Sequence, residues 1–231
     1  MARREAQRSA GRPLKVRLRK GKGRTPSQKH WLERQLNDPL VREAREQGLR
    51  ARSAFKLSEI DDKHRIFRPG MRVVDLGAAP GSWSQIAAHR VRAKEGHGRI
   101  VALDIHAMEP LAGVTSLRKD FLDEDAPDLL KQALHGELAD VVLSDMAGHA
   151  TGHRQTDHLR IMALCAAALE FARDVLKPGG TFLCKVLRGG TEQELLADLK
   201  RDFAAVRHVK PAASRADSAE LFVLATGFRG G

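Results

Sequence analysis

From Arg72 onward the chain alternates short apolar runs with longer segments of helical period. Runs at Arg72–Leu76, Ile100–Asp104, Val114–Leu117, Asp140–Ser144, Gly180–Val186, Val206–Val209 and Glu220–Ala225 have strand length and composition. Between them Ser82–Val91, Ala126–His135, Asp157–Leu176 and Glu192–Phe203 space their apolar residues for a buried helix face. Pro178-Gly179-Gly180 supplies the stop of the third of these helices. This rhythm predicts an α/β fold, a mostly parallel seven-stranded sheet with helices on both faces. The last two strands have only a short connection. That suits an antiparallel edge strand, because a parallel crossover needs about a dozen residues. Upstream, Trp31 to about Lys63 reads as helical, and Ala54, Leu57 and Ile60 place one helix over residues 50–64. Pro69-Gly70 is the turn that separates this region from the first strand.

Charge changes the picture at one end. Residues 1–30 carry eleven of the 40 Lys/Arg but only one of the 29 acids, Glu5, so almost all of the formal +11 sits there. With Gly11, Pro13, Gly21, Gly23 and Pro26 among these charges, the segment reads as a flexible basic arm. Residues 31–231 then form one near-neutral domain. A basic arm on such a domain suits a polyphosphate partner; a solubilising tail is the plainer alternative. No apolar run approaches the ~20 residues of a membrane span. Aromatics make up 4% and Tyr is absent, so base stacking on an extended platform is not the binding mode. Cys165 and Cys184 each lie in an apolar segment and read as buried free thiols of a reducing compartment. The bacterial cytoplasm is the expected location. The Arg-rich, acid-poor start keeps a mitochondrial alternative open.

The most informative stretch is Val73-Val74-Asp75-Leu76-Gly77-Ala78-Ala79-Pro80-Gly81-Ser82-Trp83-Ser84-Gln85. An apolar strand ends in an acid, a small-residue loop follows, and a helix begins. Gly77 and Gly81 allow close backbone approach, at the strand end where open α/β sheets bind ligands. The loop lacks G-x-G-x-x-G, and Pro80 removes a donor that a pyrophosphate would use. No G-K-[ST] follows, so it is not a P-loop. A phosphate-free ligand such as S-adenosylmethionine fits better. Asp104, at the end of the second strand, is placed to accept ribose hydroxyls, and Asp120 could reach an adenine amino group. Taken alone, Asp75 could cap a helix, Trp83 could sit in the core and Asp104 in a turn. Their order at successive strand ends favours the cofactor reading.

With those residues in place, the chain from about Arg50 to Gly227 resembles the FtsJ/RrmJ-type ribosomal RNA large subunit methyltransferases. The likeness is carried by Arg52-Ser53-Ala54-Phe55-Lys56-Leu57, by Asp75 to Gly81 with Trp83, and by Ser144-Asp145-Met146-Ala147. Lys185-Val186 and Ser214-Arg215 through Ser218 and Glu220 complete it. The resemblance implies a Rossmann-like class I methyltransferase. It also implies a catalytic tetrad of Lys56, Asp145, Lys185 and Glu220, and cofactor contacts at Gly81, Trp83, Asp104, Asp120 and Asp145. It implies S-adenosylmethionine as methyl donor and a uridine 2′-hydroxyl of 23S ribosomal RNA, within the large subunit, as acceptor. A monomer with no membrane partner is expected. Two positions depart from the family pattern: Gly148-His149 replaces Pro-Asn, and Phe222 replaces Tyr.

The residue types suit the chemistry. A ribose hydroxyl is a poor nucleophile and must shed a proton as the methyl group moves. Lys185 lies within the apolar run Thr181–Leu187, where a charge needs a reason. An ordinary lysine is a weak base at neutral pH; partial burial and a nearby Lys56 would improve it. Lys185 then either accepts the proton or orients an oxygen lone pair. Asp145 orients Lys185, and Glu220 orients Lys56 or the ribose. His149, His153 and His158 lack ligand spacing, and no metal is expected. Arg188 and Arg215 are candidate phosphate contacts. A catalytically idle RNA-binding or ribosome-assembly protein is the alternative from another class, and a methyltransferase on another RNA or a small molecule the alternative within it.

Overall fold

The computed structural model describes residues 26–148, 152–187 and 192–230. Two helices, α1 (Pro26–Asn37) and α2 (Pro39–Glu46), precede α3 (Ser53–His64). There follow β1 (Arg72–Leu76), α4 (Ser82–Val91), β2 (Arg99–Asp104), β3 (Val114–Arg118), α5 (Ala126–Ala133) and β4 (Ala139–Ser144). The chain closes with α6 (Arg154–Val175), β5 (Leu176–Leu187), α7 (Glu192–Asp202), β6 (Phe203–Val209) and β7 (Glu220–Phe228). The basic segment up to residue 25 lies outside the described residues. Because α1 starts at Pro26, the arm boundary expected at residue 30 falls inside a helix.

The seven strands form one sheet in the order β3-β2-β1-β4-β5-β7-β6. The first five run parallel, and β7 pairs antiparallel with both β5 and β6. The hairpin expected at the edge therefore folds back, so that its second strand lies inside and β6 forms the rim. The order reverses between β1 and β4, which opens a crevice at their carboxyl ends. Strand pleating sends alternate residues to opposite faces. Val74, Leu76, Phe182 and Cys184 join a core with α5, α6 and α7. Val73, Leu143, Leu183, Phe222 and Leu224 join another with α3 and α4. The same parity sets Asp75 and Lys185 toward the α3–α4 layer.

One stop signal acts differently from its reading in the sequence. Helix α6 ends at Val175, and Pro178-Gly179-Gly180 lies within β5, where the pairing with β4 shifts register between Ala139 and Val141. Gly179 has φ +81°, and a Cβ on Gly180 would come within 2.8 Å of the Lys177 main-chain oxygen. The motif bends the strand entry rather than terminating the helix. Helix α3 begins at Ser53, so Arg50 and Arg52 stand before it and are free to reach neighbouring loops.

Candidate active site

The β1–α4 loop is held by the sheet before any ligand is considered. Gly77 and Ala78 donate to the Leu103 carbonyl at 2.9 and 3.2 Å, and Asp145 donates from its main chain to the Leu76 carbonyl at 3.0 Å. A Cβ on Gly77 (φ +75°) would come within 2.8 Å of the Met146 backbone. One on Gly81 (φ +101°) would meet the Arg50 guanidinium at 2.5 Å. Close backbone packing requires the glycine at 77, whereas at 81 the neighbours are flexible side-chain ends and the positive φ is what calls for glycine. Gly77 also lines the adjoining cleft, whereas Gly81 lies under Arg50 and Met108.

That cleft, of about 720 Å³, opens at the carboxyl ends of β1, β2, β3 and β4. Its walls include Leu103, Ile105, Phe121 and Leu122, and its acids are Asp104, Asp120 and Asp145. Asp104 is fixed by two main-chain donors, Ala79 to Oδ2 at 2.9 Å and His106 to Oδ1 at 2.8 Å. Asp120 Oδ1 accepts from the Leu122 amide at 3.0 Å. Each carboxylate keeps spare lone pairs for a hydroxyl or amino donor. Apolar walls with three acids, and with Lys119 and Arg160 also in the lining, fit an adenosyl ligand that carries both positive and negative groups.

Asp75 and Trp83 do not line the cleft. Asp75 is fully buried; Oδ2 accepts from Ser84 Oγ at 2.6 Å, and Oδ1 has no hydrogen-bond partner. Burial, with the Asp145 and Asp104 charges adding to it and Ser84 opposing, raises this carboxyl to about 7. Trp83 is 2% exposed; its indole N–H donates to the Ser53 carbonyl at 3.0 Å and its ring packs on Phe222 at 5.5 Å between centroids. Its side chain belongs to the α3–α4 core, so any ligand contact from this residue comes through its main chain.

Lys56, Asp145, Lys185 and Glu220 come together as two ion pairs on the α3–α4 side of the sheet. Lys185 Nζ lies 3.0 Å from Asp145 Oδ1 and donates to that residue's main-chain oxygen at 2.7 Å. Lys56 Nζ lies 2.6 Å from Glu220 Oε1, which also accepts from Ser214 Oγ at 3.0 Å. Lys185 faces Phe222 across the β5–β7 ladder, and Lys56 Nζ stands 5.8 Å above that ring. Phe222 thus fills the space between the pairs with an apolar ring and offers no hydroxyl. Burial pushes the Glu220 carboxyl up, but the Lys56 ammonium, its hydrogen bond, Ser214 and Lys185 outweigh it and hold the group below its ordinary value.

Several site-shaping residues escape sequence reasoning. Arg50 donates to the main-chain oxygens of Pro80 at 3.0 Å and Pro110 at 2.8 Å, and its own amide donates to Gln85 at 3.1 Å. Ser53 and Ser82 share a hydroxyl hydrogen bond of 2.6 Å. Together with Trp83 these contacts tie the start of α3 to the ligand loop. Nothing in the spacing of isolated Arg and Ser residues announces them. Of the histidines weighed as ligands, His153 caps α6 by accepting from Thr156, and His149 lies outside the described residues, as does Arg188.

Residues 49–228 match the model of the FtsJ-like methyltransferase family. Ribosomal RNA large subunit methyltransferase E of Xanthobacter autotrophicus is 63% identical over 220 residues, covering 95% of this chain and 86% of that protein. The protein of the same name from Parvibaculum lavamentivorans is 59% identical over 226 residues, with 95% and 89% covered. Among solved structures, a ribosomal RNA methyltransferase from Plasmodium falciparum matches with a TM-score of 0.70 at 27% identity, covering 79% of this chain and 100% of that one.

Proposed function

The chain belongs to the FtsJ-like methyltransferase family, and from that premise we propose that it methylates a ribose 2′-hydroxyl of RNA, a uridine of large-subunit (23S) ribosomal RNA. The methyl donor in this reading is S-adenosylmethionine, whose sulfonium supplies an already activated methyl group. The observation that carries the reading is the two partly buried ion pairs, Lys185–Asp145 and Lys56–Glu220, assembled beside the acid-lined cleft. Two lysines and two acids at one end of a cofactor cleft suit a nucleophile that must be aligned and relieved of a proton.

Asp104 and Asp120 serve the adenosine, and Asp145 borders both the cleft and Lys185. An ammonium has three donor directions. Asp145 takes one of those on Lys185 through its main-chain oxygen, and its carboxylate lies 3.0 Å away as an ion pair. A remaining N–H can hold the acceptor oxygen so that a lone pair faces the methyl carbon. Lys56, steadied by Glu220, sets a second positive charge where the hydroxyl develops negative charge. The carboxylates hold both lysines in place; as an ammonium Lys185 orients the oxygen while water takes the hydroxyl proton, and only as a neutral amine would it take that proton itself. The basic segment that precedes α1 binds RNA phosphates, and the domain that follows works as a monomer in the bacterial cytoplasm. Among the described residues no helix is long and apolar enough to cross a membrane.

Mapping 2′-O-methyl groups in large-subunit ribosomal RNA, with and without this protein, tests the reading. One uridine should lose its methyl group in the deletion and regain it on complementation with the wild-type chain. Regain with a Lys185→Ala chain, or an unchanged map, would overturn it.

A further inference from the structure

Asp38 does not line the cofactor cleft, and its surroundings are unusual for a helix cap. One oxygen, Oδ1, accepts from the Leu40 amide at 3.1 Å and caps α2. The other, Oδ2, lies 3.1 Å from Arg52 Nε and 3.1 Å from Arg215 Nη2. The three side chains are 10%, 15% and 31% exposed, so the cluster is largely screened from solvent. Its members come from the start of α2, the segment before α3 and the β6–β7 loop. Arg52 also donates to the Ala213 carbonyl at 2.6 Å, and the Ala213 amide donates to the Glu59 carboxylate of α3 at 3.1 Å. The next residue, Ser214, donates to Glu220. A helix cap needs one of these contacts; the rest pin a loop.

We infer that Asp38 is a positioning residue for methyl transfer. Its carboxylate clasps Arg52 and Arg215, and so fixes the β6–β7 loop, with Ser214 and Glu220, against the helix that carries Lys56. The physical need is specific. Lys56 and Glu220 stand on elements joined by no shared backbone pairing, α3 and β7, and their 2.6 Å contact depends on how the loop seats. Without the carboxylate, Arg52 and Arg215 become two neighbouring cations in a partly dry site. They repel, and the loop is the element free to move. This inference rests on the ribose-methylation reading, since it assigns Asp38 a part in that reaction.

The test uses the full chain, tritiated S-adenosylmethionine and large ribosomal subunits from cells lacking the enzyme. Asp38→Asn keeps an oxygen for the α2 cap and removes only the charge. We expect cofactor affinity and KM for subunits within twofold of wild type, with kcat lowered at least tenfold. Arg215→Ala, at the most exposed corner, should lower kcat similarly, and the double variant should be no slower than either single one. Independent effects would instead multiply to about a hundredfold. A wild-type kcat for Asp38→Asn overturns the inference. So does a raised KM at unchanged kcat, which would make the cluster an RNA contact only. If Asp38→Asn fails to fold, kcat of Arg215→Ala decides alone. Absence of ribose methylation by the wild-type chain would sink the functional reading itself, a different result from any of these.

Discussion

Replacing Asp75 with Asn should make the protein relatively more stable as pH rises, and the size of the effect follows from where the carboxyl sits. Asp75 is fully buried on β1, with one oxygen bonded to Ser84 and the other unpartnered. Burial raises it from 3.8 to about 7, and the Asp145 and Asp104 charges add to the rise. A carboxyl raised in the folded state favours folding most below its unfolded value. Between 3.8 and about 7 the unfolded chain ionises while the folded chain does not, so stability is lost as pH rises through that window. Each unit is worth about 1.36 kcal/mol, which gives a ceiling of about 4 kcal/mol across the window and roughly 2–3 kcal/mol between pH 5 and pH 8. Asn keeps an acceptor for Ser84 but never ionises. Its amide leaves a buried donor unpaired, a cost independent of pH. The observable is therefore how the stability difference between variant and wild type changes with pH, not its absolute value. At about 2–4 °C per kcal/mol for a chain of this size, the melting difference should move in favour of the variant by on the order of 5–10 °C from pH 5 to pH 8. It should level off above pH 7. Melting curves without added ligand test this. A difference that stays constant across the range would refute the buried, raised carboxyl.

Three further outcomes are expected. Lys185→Ala should abolish methyl transfer, by roughly 10²–10⁴-fold in turnover, while calorimetry finds cofactor affinity within a few fold; near-normal turnover would remove Lys185 from the chemistry. Asp104→Ala should weaken cofactor binding by about 1.5–3 kcal/mol, tenfold or more, because it loses the proposed ribose contacts together with the anchors to Ala79 and His106; an unchanged dissociation constant would count against it. Deleting residues 1–25, which hold ten Lys/Arg, should weaken RNA binding and flatten its salt dependence by up to about one unit of slope per lost phosphate contact on duplex RNA. Turnover at saturating RNA should survive that deletion, and an unchanged salt slope would assign the arm another role.

The parallel half of the fold was legible because each strand ends in chemistry as well as in a break of hydrophobic period. Asp104, Asp120 and Asp145 could be placed at or just beyond successive strand ends from the sequence, and the crevice forms there; Asp75 lies one residue inside its strand and is buried. Lys185 stood out because a charge inside Thr181–Leu187 demands a partner, and it has one in Asp145. Lys56 and Glu220 carried no such signal: a lysine on a helix and a glutamate opening a strand are ordinary, and only the resemblance singled them out. Asp38 went unremarked in the sequence: its contact with an arginine 177 positions away cannot be read from local spacing. Pro178-Gly179-Gly180 was misplaced for a related reason. Turn residues report a backbone bend, and only the neighbouring strand decides whether that bend lies between elements or within one.

Trp83 shows how the two halves of the site are joined. A tryptophan two residues past the loop glycine invites a ligand-stacking role, yet the indole is buried on Phe222 and bonded to Ser53. The same Phe222 ring carries the Lys56 ammonium on the acceptor side and pairs with Lys185 through the sheet. In the proposed reaction the donor half of the site, Asp104, Asp120 and Asp145, lies at the ends of the parallel strands. The proposed acceptor half, Lys56 and Glu220, belongs to the N-terminal helices and the antiparallel hairpin. The shared core of α3, α4 and β1 joins the two halves, and the ring stack and the bonds from Arg50, Ser53 and Gln85 add directional ties to it. Alignment to within a fraction of an ångström is what in-line methyl transfer requires, and a buried ring held on both sides supplies that rigidity better than an exposed one could.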